Sequence, residues 1–276
     1  MKKVMTVGMA ALMVAGIAGA QDDMVMVGQA PVNDRARPEV TVEAALVSSY
    51  VWRGQVYNND FVIQPQITIE QYGVSFNIWG NYDLGKNTFG ISGDWSEIDM
   101  SLAYSLPLDI NEMAFDVGII GYDFPANGDI PGVSGTGFNS KSTTELFASA
   151  TVLSWQDYVI PSLTLFGDID EASGAYFLFD IVAPYEISDY LAVEGGFSAG
   201  YGNTSYNDYY FGGNQDAGWN DFNFYGNASY LIQDGLTLSA NLTYTTLEGG
   251  SIQDAAGQIY EAKEKVWAGV NIAYDF

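Results

Sequence analysis

The sequence predicts an all-β protein built as a single transmembrane antiparallel up-and-down barrel of about 12 strands, because three features agree on it. The final residues, 265–276, put Val266, Ala268, Val270, Ile272, Tyr274 and Phe276 at even positions, with mostly charged, polar or small residues between them. Such period-two alternation gives an extended strand one oily face and one polar face. The chain opens on Met1-Lys2-Lys3, an uncharged apolar run over 4–18 and Ala18-Gly19-Ala20 before Gln21-Asp22-Asp23, the form of a cleaved secretory signal. Between these ends, alternating segments are joined by tight turns and long polar loops in turn, the rhythm of a bacterial barrel rather than of a soluble sandwich.

Residues 1–20 are therefore expected to be removed on export. Residues 21–39 form a flexible periplasmic lead-in, and 40–276 form the barrel. The signal carries Lys2 and Lys3 of the 9 basic residues and none of the 34 acidic ones, so the exported chain has a charge of 7 − 34 = −27. A surface of that sign repels nucleic acid and excludes it as a partner. Cysteine and histidine are both absent, which removes thiolate chemistry, disulfides, Ser-His catalysis and His-ligated zinc. No cofactor is expected. Aromatic residues make up 14% of the chain, suited to the aromatic girdles of a barrel.

The first strand starts at Val40. Val42, Ala44 and Leu46 take one face, and Glu43, Ala45, Val47, Ser49, Val51 and Arg53 the other. Residues 52–60 read as a loop. Phe61, Ile63, Ile67 and Ile69 then face lipid while Gln64, Gln66, Thr68 and Glu70 face in, and Gln71-Tyr72-Gly73 turns the chain. Val74, Phe76 and Ile78 oppose Ser75, Asn77, Trp79, Asn81 and Asp83. After a Gly/Asn/Asp-rich loop over 86–95, Ile98, Met100, Leu102 and Tyr104 oppose Glu97, Asp99, Ser101 and Ala103. Phe115, Val117 and Ile119 return beside Asp116, and 124–141 is a longer loop.

Residues 144–152 and 163–169 form the next hairpin, with Glu145 and Asp168 facing in. The loop over 168–174 begins like a calcium loop but lacks the third ligand, the sixth-position Gly and the closing Glu, so it reads as a solvated acidic turn with no metal. The strand over 175–183 is apolar on both faces apart from Asp180, and 184–189 reads as a turn. Leu191, Val193 and Phe197 then face away from Glu194 and Ser198, before a loop over 202–218. Phe222 and Phe224 oppose Asn223, and after the Asp234-Gly235 turn Leu238, Ala240 and Leu242 oppose Ser239, Asn241 and Thr243. A last loop over 246–264 leads to the terminal strand.

The run Ser48-Ser49-Tyr50-Val51-Trp52-Arg53-Gly54 resembles the S-x-Y-[VF]-x-R-G motif near the start of the TorF family of porin-type proteins, with similar spacing to Pro65 and to Trp79-Gly80-Asn81. The resemblance spans about 42–85 and implies an outer-membrane barrel with a channel function. The chain departs from the family at Gln55-Val56-Tyr57, where Ile-Ser-Gln is usual.

The apolar face must meet outer-membrane lipid, and a polar face must be hydrated or internally bonded. A barrel of this size lies between side-chain-filled and wide-pored ones, so passive diffusion of small hydrophilic solutes is the leading function. The alternative is a closed barrel engaged in surface contact, since both need a polar interior. No catalytic constellation stands out, so an enzyme is not expected. By parity the candidate pore-lining residues are Glu43, Arg53, Asp83, Glu97, Asp99, Asp116, Glu145, Asp168, Glu194, Asn223, Asn241 and Asn271. Their acids should favour cations. Arg53 reads either as a structural ion pair with an inward acid or as a constriction charge. Tyr274 and Phe276 are the candidate signal for the barrel-assembly machinery.

Overall fold

The computed structural model describes residues 37–108, 110–125, 142–213, 215–260 and 262–276. The expected signal (1–20), nearly all of the lead-in and most of the loop over 124–141 lie outside the described residues. Twelve strands close the barrel: β1 (Glu39–Val47), β4 (Val62–Gln71), β5 (Val74–Asp83), β6 (Asp94–Ser105), β7 (Met113–Asp123), β8 (Thr143–Val152), β9 (Ile160–Asp168), β10 (Ala175–Ser188), β11 (Leu191–Gly202), β12 (Gly218–Gln233), β13 (Leu236–Leu247) and β14 (Glu264–Asp275). Each pairs antiparallel with its sequence neighbour in the wall, and β14 closes on β1 with Val42 opposite Tyr274 and Leu46 opposite Val270. Closure leaves no free edge, the condition for crossing a bilayer with strands.

The alternation read from the sequence sets the two faces. Val42, Ile63, Phe76, Met100, Leu102, Leu146, Leu163, Leu238 and Ile272 point outward and are exposed, while Gln64, Thr68, Ser75, Asn77, Ser101, Ser149, Thr164, Asn227 and Thr243 point inward and are buried. Short connections at one end (Tyr72-Gly73, Asp189-Tyr190, Asp234-Gly235) alternate with longer ones at the other.

Three expectations need correction. The segment 52–60 is not a loop but part of a hairpin, β2 (Tyr50–Trp52) and β3 (Gln55–Asn58), and the first wall strand stops at Val47. Arg53 is therefore not a continuation of that strand. The turn placed at 184–189 is also shorter, because β10 continues through Pro184 to Ser188. Pairing with β9 ends at Val182, so Pro184 sits where only β11 remains beside it, an edge position that tolerates its missing N–H. Finally, the loops over 202–218 and 246–264 contain helices, α1 (Thr204–Phe211) and α2 (Ser251–Ile259).

Candidate functional site

The β2–β3 hairpin is folded into the barrel at the long-loop end, and its local chemistry explains the Ser-Ser-Tyr-Val-Trp-Arg-Gly run. Ser48 holds the wall in place of the finished strand: its N–H reaches the Ala268 carbonyl at 2.8 Å and its Oγ accepts the Ala268 N–H at 2.9 Å. Ser49 Oγ donates to the Asn58 carbonyl at 2.6 Å and closes the base of the hairpin. Trp52 pairs with Gln55 across the two-residue tip, where Arg53 has φ 45° and Gly54 φ 78°. Two positive φ values make this a tight hairpin turn that suits the strand twist. At Gly54 a β-carbon would collide with Leu247 and Asp221, so space as well as conformation calls for glycine.

The tip delivers Arg53 to the far wall. Its two terminal nitrogens donate to the two carboxylate oxygens of Glu145 on β8 at 2.9 Å each, with both side chains about 1% exposed. The guanidinium also lies 4.3 Å from the Phe166 ring centre, 4.4 Å from Tyr176, 4.6 Å from Trp52 and 5.7 Å from Tyr206. Planar, weakly hydrated guanidinium suits this enclosure, because it can stack on rings while bonding in its own plane. Tyr122 donates its hydroxyl to Glu145 at 2.7 Å and so fixes the carboxylate from the barrel side.

The helices complete a plug around the hairpin. Asn203 caps α1 by accepting the Tyr206 N–H at 2.9 Å and also takes the Ala175 N–H at 3.0 Å, which ties the helix to the top of β10. Tyr210 of α1 meets Trp52 edge-on at 5.1 Å, and Tyr260, just after α2, lies 5.6 Å from Tyr57 and donates to the Tyr210 carbonyl at 2.8 Å. Tyr206, Phe211, Ala256 and Tyr260 are buried. An apolar and aromatic assembly therefore fills the long-loop half of an otherwise polar lumen.

The predicted residues divide between the two halves. Beside the plug, Glu97 accepts the Tyr50 hydroxyl at 2.7 Å and Asp83 is held by the amides of Asn58, Asn81 and Asn87 at 2.6, 3.0 and 2.8 Å. Asp99 is buried on the same strand face as Glu97. Asp168 accepts the Thr143 hydroxyl at 2.7 Å and the N–H groups of Asp170, Ala172 and Ser173 within 3.1 Å, which organises the acidic turn. No group of acids able to hold a metal occurs among the described residues.

Nearer the middle and the short-turn end, Glu43 accepts from Gln66 at 3.0 Å and from Asn271 at 3.1 Å. Asp116 accepts from Ser105 and Ser149, and Glu194 from Asn227 at 2.6 Å. Asn223 bonds Ser198 and Asp221, and Asn241 bonds Thr243. These carboxylates are held by neutral amides and hydroxyls.

Parity alone missed the aromatic cage. Phe147, Phe166 and Tyr176 all occupy inward positions and lie side by side through the pairs Phe147–Phe166 and Phe166–Tyr176, with ring centres 6.2 Å apart in both cases. Apolar rings at inward positions of three consecutive strands, near their long-loop ends, are the signal that could have found it.

Fold and interior together define a closed twelve-stranded antiparallel barrel with an oily exterior and an internally plugged, acidic lumen. The chain is similar to the COG4313 outer membrane channel from Pseudomonas putida F1 at 11% identity and TM-score 0.54, covering 91% of this chain and 98% of that one. It is also similar to NanC porin (10%, TM-score 0.51, 85% and 98%) and to KdgM porin in complex with disordered oligogalacturonate (9%, TM-score 0.50, 86% and 99%). At these identities the likeness is one of fold. No protein-family model and no curated protein sequence matches the chain.

Proposed function

We propose that this chain is a porin-type channel of the Gram-negative outer membrane, exported by residues 1–20 and related to the TorF family, that passes small hydrophilic solutes and prefers cations. It is not an enzyme in this reading. The observation that carries the proposal is the lumen of the short-turn half, where Glu43, Asp116 and Glu194 are bonded by neutral donors, while Arg53 is already engaged by Glu145. Negative charge in a narrow polar conduit concentrates cations. The porin names of the similar folds support the same reading. The outer face meets lipid, and Tyr274 and Phe276 present the end strand to the assembly machinery.

One observation favours a second reading, a closed barrel with surface contacts. The β2–β3 hairpin, α1 and α2 together fill the long-loop half, and the Arg53–Glu145 pair fastens them. In the channel reading this plug is displaced during conduction. Planar-bilayer recordings decide between the two, using refolded wild type and a variant whose residues 50–58 are replaced by a short Gly-Ser turn. Low conductance in wild type and high conductance in the variant is the expected result. No conductance in either leaves the closed barrel.

A further inference from the structure

We propose that Glu145 and the rings around it form a receptor for one guanidinium cation, loaded here by the chain's own Arg53, and that a guanidinium-bearing solute opens the conduit by taking Arg53's place. In its conductance part this rests on the channel reading; the receptor itself does not.

The argument starts from which residues build the cage. Glu145, Tyr122, Phe166 and Tyr176 belong to β8, β7, β9 and β10, four adjacent wall strands that pair with one another and not with the hairpin. Each is held from its own side. Tyr122 bonds Glu145 at 2.7 Å, and the Tyr176 hydroxyl donates to Asp221 at 2.9 Å. Gly200 leaves the room that the Tyr176 hydroxyl occupies, since a β-carbon there would overlap it. The carboxylate and two of the rings thus stay in place when the hairpin leaves. What the hairpin contributes is the occupant, together with Trp52.

The chemistry of the cage selects its ligand. Two parallel N–H donors 2.9 Å from the two oxygens of one carboxylate match a planar guanidinium edge. Rings at 4.3 and 4.4 Å take its face. An ammonium offers a single point charge and keeps more of its hydration, so it fills the same space with fewer bonds. The acidic charge of the whole chain draws cations toward the barrel.

Arg53 is a tethered competitor. It is held by a packed hairpin rather than a flexible linker, so a free solute displaces it only at high concentration or with added contacts. The expected solute class is an alkylguanidinium, whether a free amino acid side chain or a longer amine.

Full-length Arg53→Ala, refolded in detergent, provides the test. Millimolar methylguanidinium should raise its thermal midpoint more than equal methylammonium or sodium does. Adding Glu145→Gln should weaken the apparent affinity by about tenfold or more, the loss expected when a charge-assisted bidentate contact goes. Equal effects of all three cations on Arg53→Ala overturn the receptor. Should that variant fail to fold, Arg53→Lys serves, with the thermal midpoint again the readout. A methylguanidinium-specific change supports the proposal, and none overturns it.

In planar bilayers at constant ionic strength, wild-type conductance should rise with methylguanidinium and not with methylammonium. Selective stabilisation of Arg53→Ala with no conductance from any form keeps the receptor and removes the channel. Conductance indifferent to guanidinium removes the gating and keeps the channel.

Discussion

Arg53 and Glu145, far apart along the chain, meet through two parallel bonds of 2.9 Å with both side chains sealed from water. One sits at the tip of an inserted hairpin and the other on the barrel wall, so the ion pair fastens the tip of the plug to the cylinder, in addition to the Tyr50–Glu97 and Asn58–Asp83 bonds. Of the two roles the sequence leaves open for Arg53, this geometry is that of a structural pair.

Breaking that pair from one side should be costly. Glu145→Ala leaves a buried guanidinium without its carboxylate and should destabilise the protein by about 3–5 kcal/mol. Replacing both partners by apolar residues, Arg53→Met with Glu145→Leu, should recover much of the loss. The midpoint of heat-induced mobility change on SDS gels measures both.

Gly54 is tested by adding one methyl group. Gly54→Ala must adopt φ near 78° and push against Leu247 and Asp221. The conformational penalty alone is about 1 kcal/mol. We expect an intact barrel by circular dichroism with a loosened hairpin, seen as raised open probability in bilayers. A barrel that loses its strand signal would mean that the hairpin is needed for the wall to form.

Charge selectivity should reside in the inward-facing acids. Reversal potentials in a potassium chloride gradient are expected to show cation preference that fades with salt, as screening over about 8 Å at physiological ionic strength requires. Changing Glu43, Asp116 and Glu194 together to amides should weaken it. The pair Glu97→Gln and Asp99→Asn should weaken it as well, because Tyr50, which bonds Glu97 while the plug is in place, leaves with the plug during conduction. Anion preference would remove the acidic-lumen reading.

Topology is checked by placing tags. Insertions at Gly212-Gly213 or Gly249-Gly250, both outside the packed faces of the helices, should be labelled on intact cells. An insertion at Asp234-Gly235 should not be, since that turn lies at the opposite end with the short connections. The reverse pattern would invert the orientation.

The last strand gives an assembly prediction. Tyr274 and Phe276 stack edge to face at 4.7 Å, yet the Phe276 ring is largely exposed, so it contributes little to packing. Deleting Phe276 should lower outer-membrane levels in cells while purified protein refolds in detergent as before. Unchanged cellular levels would remove its role as a signal.

What the sequence determined by itself is the wall. Whether Ser75 or Phe76 faces the lumen is a local matter of alternation, and Gly73 or Asp234-Gly235 turns the chain wherever it stands, so faces, strand order and the sequence of short and long connections were legible. The helices α1 and α2 were not, because segments of eight and nine residues are marginal alone and form against the tertiary packing around them. Nor was Arg53's partner. Parity placed both Arg53 and Glu145 inside, for the wrong reason in the first case, but which inward acid a guanidinium meets depends on how far the hairpin reaches and how the strands slide past one another. Register and closure set those distances, and they couple residues far apart in the chain. The row Phe147, Phe166 and Tyr176 exists only once three strands are aligned, and the cage it builds is a product of the tertiary structure.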